Sequence, residues 1–232
     1  MDGLIIFLAI GIAGAVMIFS VLSSMERRRK MAAYAQAQGW HFTPDKDKGM
    51  SDRHPAFKCL RRGHSRYAYN IMHGSRDGRD VTAFDYHYVT GHGKNRRVHN
   101  FSALVIQSPL ALKPLYIRPE NIFDRVTDFF GMDDIDFESA EFSRRFFVKA
   151  PEKRWAYHVV HQQMMAYLLE SPSYHIQFDS GNIMAWRNKR FGEQGFDAAF
   201  ALIQGILERL PEYVKKQLEV NAGSAGNTSQ ED

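Results

Sequence analysis

The chain opens with a stretch that carries no charged side chain, from Gly3 to Ser24. A helix of about twenty residues crosses the roughly 30 Å hydrocarbon core of a bilayer. Four basic residues follow closely: Arg27, Arg28, Arg29 and Lys30. Because basic residues beside a membrane span tend to stay in the cytoplasm, this order predicts one transmembrane helix with a stop-transfer segment. We expect membrane contact through residues 3–24, in a single-pass protein of the cell inner membrane whose N-terminus lies outside and whose main domain is cytoplasmic.

Four segments are expected along the chain. Residues 1–30 form the transmembrane anchor and the basic stop-transfer segment, and residues 31–54 form a juxtamembrane helix and a connector. Residues 55–220 form an α+β cytoplasmic domain. Residues 221–232 are too polar to bury, so they are predicted to be a disordered tail.

Short apolar runs separated by turn residues dominate the first half of this domain, which favours consecutive antiparallel hairpins. The predicted strands are Ala56–Arg61, Tyr67–His73, Val81–Val89, Val98–Gln107 and Arg145–Lys149, with a further hairpin over Tyr174–Asn188. The predicted helices are Glu26–Gln38, Glu120–Phe130, Pro151–Glu170 and Phe196–Leu210. The expected fold class is α+β: an N-terminal single transmembrane helix followed by one domain with an antiparallel sheet, packing helices and a C-terminal helix.

Side chains alternate in polarity along the third predicted strand. Successive residues of a strand point to opposite faces of the sheet. Phe84, Tyr86 and Tyr88 form the more apolar set and are expected to face the core. Asp85 and His87 are therefore expected to face solvent.

Charge is unevenly distributed, although the formal net charge is only +4. Residues 52–100 hold ten Lys or Arg against four Asp, whereas residues 120–152 hold nine acidic residues against four basic ones. A nucleic-acid-binding protein usually has one dense basic face, so no nucleic acid is expected as a partner. The residues predicted to contact a lipid or a protein partner are Arg27, Arg28, Arg29, Lys30, Arg61, Arg62, Arg96 and Arg97.

Motifs that would identify an enzyme or a cofactor site are missing from the sequence. It contains no GxxxxGK[ST], GxGxxG, GxSxG or CxxC pattern, and Cys59 is the one cysteine. His87, His92 and His99 lie around one predicted hairpin, but their spacing matches no compact zinc pattern. No catalytic residue, cofactor or metal is therefore predicted, and these three histidines are the nearest approach to a ligand set.

Four short motifs follow one another through the domain. They are FDYHYVTGHGK at 84–94, RPE with FD at 118–124, DIDFE at 134–138 and FSRRF at 142–146. In order and spacing they resemble a family of small, often membrane-anchored bacterial proteins without an assigned activity. The resemblance implies a bacterial inner-membrane setting and one compact domain, and it carries over no catalytic residue.

Three functions are compatible with these observations. The first is a non-enzymatic interaction or assembly module at the cytoplasmic face of the membrane, which binds another membrane or cytoplasmic protein. The second is a domain that binds an anionic lipid or a small ligand through its basic hairpins. The third is an uncharacterised hydrolase that uses His87 or His99.

Overall fold

The computed structural model describes residues 2–120, 135–179 and 181–227. The α-helices in these ranges are α1 (Asp2–Ala37), α2 (Met50–Arg53), α3 (Ala140–Arg145), α4 (Lys153–Val159), α5 (Gln162–Glu170), α6 (Glu193–Glu208) and α7 (Glu212–Asn227). The strands are β1 (His41–Thr43), β2 (His64–Arg76), β3 (Arg79–Thr90), β4 (Arg97–Gln107), β5 (Leu115–Pro119), β6 (Phe146–Lys149), β7 (His175–Asp179) and β8 (Asn182–Arg187).

The strands form one antiparallel sheet in the order β1-β2-β3-β4-β8-β7-β5-β6. The β3–β4 hairpin has a long regular register, from Val81 opposite Ile106 to Thr90 opposite Arg97. The β7–β8 hairpin then joins the sheet beside β4. An antiparallel sheet with packing helices is the α+β arrangement that the alternation and turn residues predict.

Both faces of the sheet bury apolar side chains. On one face, Ala83 of β3 and Ala185 of β8 belong to a cluster that also contains Phe200 of α6. On the other face, Phe84 and Trp186 belong to a second cluster, which the segment around α2 and the following 3-10 turn partly covers. The sheet is therefore the middle layer of the domain.

Burial on both faces corrects one expectation about β3. Phe84, Tyr86 and Tyr88 are buried as predicted. Asp85, which the alternation predicts to face solvent, has no exposed surface. The reason is that Arg27 of α1 packs over this face, a long-range contact that the alternation of a single strand does not reveal.

The predicted transmembrane helix is also corrected. Within residues 2–120, 135–179 and 181–227, no helix combines the length and apolar character that crossing a membrane requires. The helix α1 instead continues to Ala37, and its last turns bury Met31 and Tyr34 in the core of the domain. The predicted single-pass anchor through residues 3–24, and with it the inner-membrane localisation and orientation, is therefore wrong. Several apolar side chains earlier in α1 are exposed, among them Phe7 and Phe19.

Smaller differences concern local structure. The predicted strand Ala56–Arg61 is an irregular segment that ends in a 3-10 turn at Lys58–Arg61, where Leu60 is buried. The predicted helix Pro151–Glu170 is split into α4 and α5 around Val160. The predicted helix Glu120–Phe130 falls outside the described residues from position 121 onwards. The helix α7 runs to Asn227, into the segment expected to be a disordered tail.

Candidate functional site

A gap in strand pairing opens at one end of the sheet. β4 pairs with β3 from Arg97 to Ile106, but it pairs with β8 only from Ser102 onwards. The first residues of β4 therefore extend beyond the end of β8. Two neighbouring cavities lie at this end and share Asn188, which follows β8 directly. We call the two cavities together the basic site.

The first cavity has a volume of about 360 Å³. It is lined by Arg62, Tyr88, Val98, His99, Asn100, Phe101 and Asn188. The ring of His99 stacks on that of Tyr88, with centroids 4.5 Å apart, and the Arg62 guanidinium lies 6.0 Å from the centre of the Tyr88 ring. Burial, followed by the positive charges of Arg62 and Arg97, lowers the pKa of His99 below its ordinary value. Arg62 in the lining and the nearby Arg97 thus place two positive charges around the His99 ring.

The second cavity has a volume of about 450 Å³. It is lined by Pro119, Ser173, His175, Arg187, Asn188 and Lys189. The Nε of Arg187 donates a 2.7 Å hydrogen bond to the Ser173 carbonyl, which fixes the guanidinium beside the cavity. His175 lies 5.0 Å from the Trp186 ring, centroid to centroid. The wall thus combines the cationic groups of Arg187 and Lys189 with the His175 ring, which stacks on Trp186.

A buried arginine stands beside the second cavity. Arg118 is only 7 % exposed and immediately precedes Pro119, which lines the cavity. Its guanidinium packs 4.3 Å from the centre of the Phe147 ring, and its Nε has no hydrogen-bond partner. Its Nη1 lies 3.8 Å from a carboxylate oxygen of Glu120, which is too far for a hydrogen bond. Arg118 and Glu120 therefore form a loose ion pair beside the second cavity.

The described lining of the basic site is cationic and contains no carboxylate. Arg62, Arg187 and Lys189 supply its formal charges. Arginine binds planar anions through paired hydrogen bonds and also stacks on aromatic rings. The arrangement is suited to holding an anionic group against an aromatic wall.

A buried ion pair connects α1 to β3. The Nη2 of Arg27 lies 2.7 Å from Oδ1 of Asp85, and the Nε of Arg27 lies 3.0 Å from Oδ2. Asp85 also accepts hydrogen bonds from Asn70 Nδ2 at 3.0 Å and Ser102 Oγ at 2.6 Å. Asn70 has φ 49° at an irregularity in β2, and such bulges commonly redirect a side chain. The paired and hydrogen-bonded carboxylate joins α1 to the middle of the sheet.

The eight predicted contact residues differ in their environments. Arg62 lines the basic site, whereas Arg27 is committed to Asp85. Lys30 forms an exposed ion pair with Glu26. The others are exposed: Arg28, Arg29, Arg61, Arg96 and Arg97.

The three histidines considered as metal ligands are separated. His87 bonds Asn100, His99 bonds Thr90, and His92 stacks on His64. Among the described residues, no three His, Cys, Asp or Glu side chains come close enough to hold a metal ion. His87 and His99 also lie on opposite faces of the sheet, because they occupy successive pairs of the β3–β4 register. They do not converge on one hydrolytic site.

Sequence reasoning misses the part of the site that follows β8. The basic run Arg187, Lys189 and Arg190 is visible in the sequence, but it lies far from the basic hairpins. The two regions come together because β8 pairs with β4. A search for basic residues at the ends of all predicted strands would include this run.

Comparisons with known proteins bear on the fold. No family model and no curated protein sequence matches the chain. Among solved structures, the fold is similar to that of the mycobacterial trehalose monomycolate transport factor A, TtfA. The TM-score is 0.58 at 12% sequence identity, over 79% of this chain and 96% of that one. The chain therefore shares the overall fold of that transport factor.

Proposed function

We propose that the protein is a non-enzymatic interaction module that binds the anionic headgroup of a lipid in the basic site. One observation carries the proposal: two adjoining cavities whose described lining has three cationic side chains, stacked aromatic rings and no carboxylate. Concave sites with a few convergent polar groups are the usual location of ligand binding.

The chemistry of the lining favours an amphiphile over a free anion. Arg62 and Lys189 attract the negative charge of a headgroup. The aromatic rings provide an apolar surface for the less polar atoms that adjoin it. A fold shared with a factor named for trehalose monomycolate transport supports a lipid as the ligand class.

Short-chain lipids test this proposal on the full chain. We expect dihexanoyl phosphatidylglycerol, below its micelle concentration, to bind more tightly than dihexanoyl phosphatidylcholine in isothermal titration calorimetry. The exposed apolar part of α1 meets the same acyl chains in both titrations, so the difference reports the headgroup. Glycerol 3-phosphate is expected to bind more weakly than the anionic lipid, because it lacks the acyl chains.

A matched pair of variants locates the binding. Arg62→Gln is expected to weaken the affinity for the anionic lipid about fivefold, which corresponds to about 1 kcal/mol. Arg61→Gln removes the same charge from the exposed neighbouring residue and is expected to change the affinity less than about twofold. Equal affinity for the two lipids, or equal effects of the two variants, would refute the proposal. Equal affinity for glycerol 3-phosphate and the anionic lipid would refute the lipid as the ligand.

A further inference from the structure

The loop between β8 and α6, residues 188–192, links the basic site to α1. Asn188 and Lys189 line the cavities at the start of this loop. Two residues later, Phe191 is buried in the core. The position of the loop backbone therefore determines where the two lining side chains stand.

Ser102 of β4 holds this backbone at two points. Its N–H donates a hydrogen bond of 3.2 Å to the carbonyl of Lys189. Its hydroxyl accepts a 2.9 Å hydrogen bond from the N–H of Phe191 and donates one to Asp85. The loop therefore stays hydrogen-bonded to β4 just beyond the point where the pairing of β4 with β8 ends.

Arg27 of α1 completes the attachment. Its Nη1 donates to the carbonyl of Phe191, while its Nε and Nη2 donate to Asp85. The same Nη2 lies 3.3 Å from the Ser102 hydroxyl. Hydrogen bonds from a guanidinium are roughly twice as strong as neutral ones and are directional. One side chain therefore ties the loop, the sheet and the helix together.

We propose that Arg27 is a positioning residue for the basic site, and that the docking of α1 sets the affinity of the site for its anionic ligand. The inference rests on the proposed function, because Lys189 and Asn188 matter only if the basic site binds. Arg27 does not contact the cavities; it acts through Ser102, Phe191 and the loop. Displacing α1 would free the loop, and the backbone that carries Lys189 would no longer be held at the edge of the cavity.

A double-mutant cycle separates positioning from general stability. The double variant Arg27→Met with Asp85→Asn removes the attachment without leaving a buried carboxylate unpaired. We expect it to bind dihexanoyl phosphatidylglycerol about five- to tenfold more weakly than the wild type. Lys189→Gln is expected to weaken binding about fivefold in the wild type but less than about twofold in the double variant. A loss of general stability alone would leave the effect of Lys189→Gln unchanged.

Two further variants provide a second way to break the attachment and a control on the same helix. Ser102→Ala removes the hydroxyl that holds Phe191 and is expected to give the same loss of coupling with Lys189. Arg28→Met removes one charge from an exposed residue of the same helix and is expected to leave the coupling intact. Amide hydrogen exchange at Phe191 is expected to be faster in both attachment variants than in Arg28→Met.

The outcomes distinguish the two proposals. The attachment variants are Arg27→Met with Asp85→Asn, and Ser102→Ala. If the wild type binds the lipid but Lys189→Gln has the same effect in these variants as in the wild type, the positioning role is overturned and the proposed function stands. Unselective or absent wild-type binding would refute the proposed function, and this inference would fall with it. Unchanged exchange at Phe191 in both attachment variants would overturn the structural link itself.

Discussion

Replacing Arg27 by Met should destabilise the domain far more than replacing a neighbouring arginine. Asp85 is completely buried, and the Arg27 side chain is only 16% exposed. Removing one partner of a buried ion pair typically costs about 3–5 kcal/mol, because the other charge stays in a medium of low polarity. In Arg27→Met the charged carboxylate would keep only Asn70 and Ser102 as donors.

Urea unfolding followed by tryptophan fluorescence measures this effect. Trp40, Trp155 and Trp186 are all buried, so unfolding changes their surroundings. With a urea dependence of about 2 kcal/mol per molar, a loss of about 3–5 kcal/mol lowers the midpoint by about 1.5–2.5 M. Arg28→Met, on the exposed side of α1, should cost less than about 0.5 kcal/mol.

The double variant Arg27→Met with Asp85→Asn provides the internal check. Because it removes the buried charge together with its partner, it should be more stable than Arg27→Met alone by about 1–3 kcal/mol. The amide introduced by Asp85→Asn would keep an oxygen for the donors of Asn70 and Ser102. The reasoning fails if Arg27→Met and Arg28→Met have equal midpoints, or if Asp85→Asn adds to the loss.

Three other predictions concern sites away from this ion pair. Gly205→Ala should lower the free energy of unfolding by about 1–2 kcal/mol, because the new methyl group overlaps the hydroxyl and the adjoining ring carbon of Tyr167. Tyr167→Leu removes both atoms, so Gly205→Ala should cost less in that background, and chemical denaturation of the two backgrounds measures the difference. Burial lowers the pKa of His54, so the wild type should lose stability as the pH falls below about 6.5. His54→Gln should lose less stability over the same range, and denaturation at pH 7 and pH 5 measures the difference. Ser139→Ala should cost about 1 kcal/mol by removing the hydroxyl that accepts the 3.2 Å hydrogen bond from the Phe142 N–H at the start of α3, and an equal midpoint would contradict that role.

Local patterns in the sequence predict six of the eight described strands, but they miss β1 and β5 and place a strand at Ala56–Arg61 where none forms. The alternation around Phe84 and Tyr86 and the turn at Gly181 depend on neighbouring residues, and β3 and the β7–β8 hairpin form where these signals predict. The division of Pro151–Glu170 into α4 and α5 has no comparable local signal. The helical periodicity of the sequence continues through Val160. In the structure this residue is buried in the core at the end of α4, where the chain changes direction.

The basic site is predictable only in part for a similar reason. Arg62 is identified from the basic hairpins, whereas Arg187 and Lys189 are not, since their separation from Arg62 in the chain hides their proximity in space. The uncharged stretch at the N-terminus leads to an error of the other kind, in which a feature is predicted that the described residues do not have. Its apolar character and the following basic cluster suggest a membrane anchor, but Arg27 in that cluster is a structural partner of Asp85.

The buried pair between Arg27 and Asp85 is better suited to fixing geometry than to adding net stability. Burying two charges costs several kcal/mol, which their attraction only approximately offsets. Apolar contacts such as those of Met31 and Ala35 tolerate small rotations of α1, because they are not directional. A guanidinium that must meet both Asp85 and the Phe191 carbonyl tolerates much less. The pair therefore sets the rotation and translation of α1 against the sheet, and through the same hydrogen bonds it sets the loop that borders the basic site.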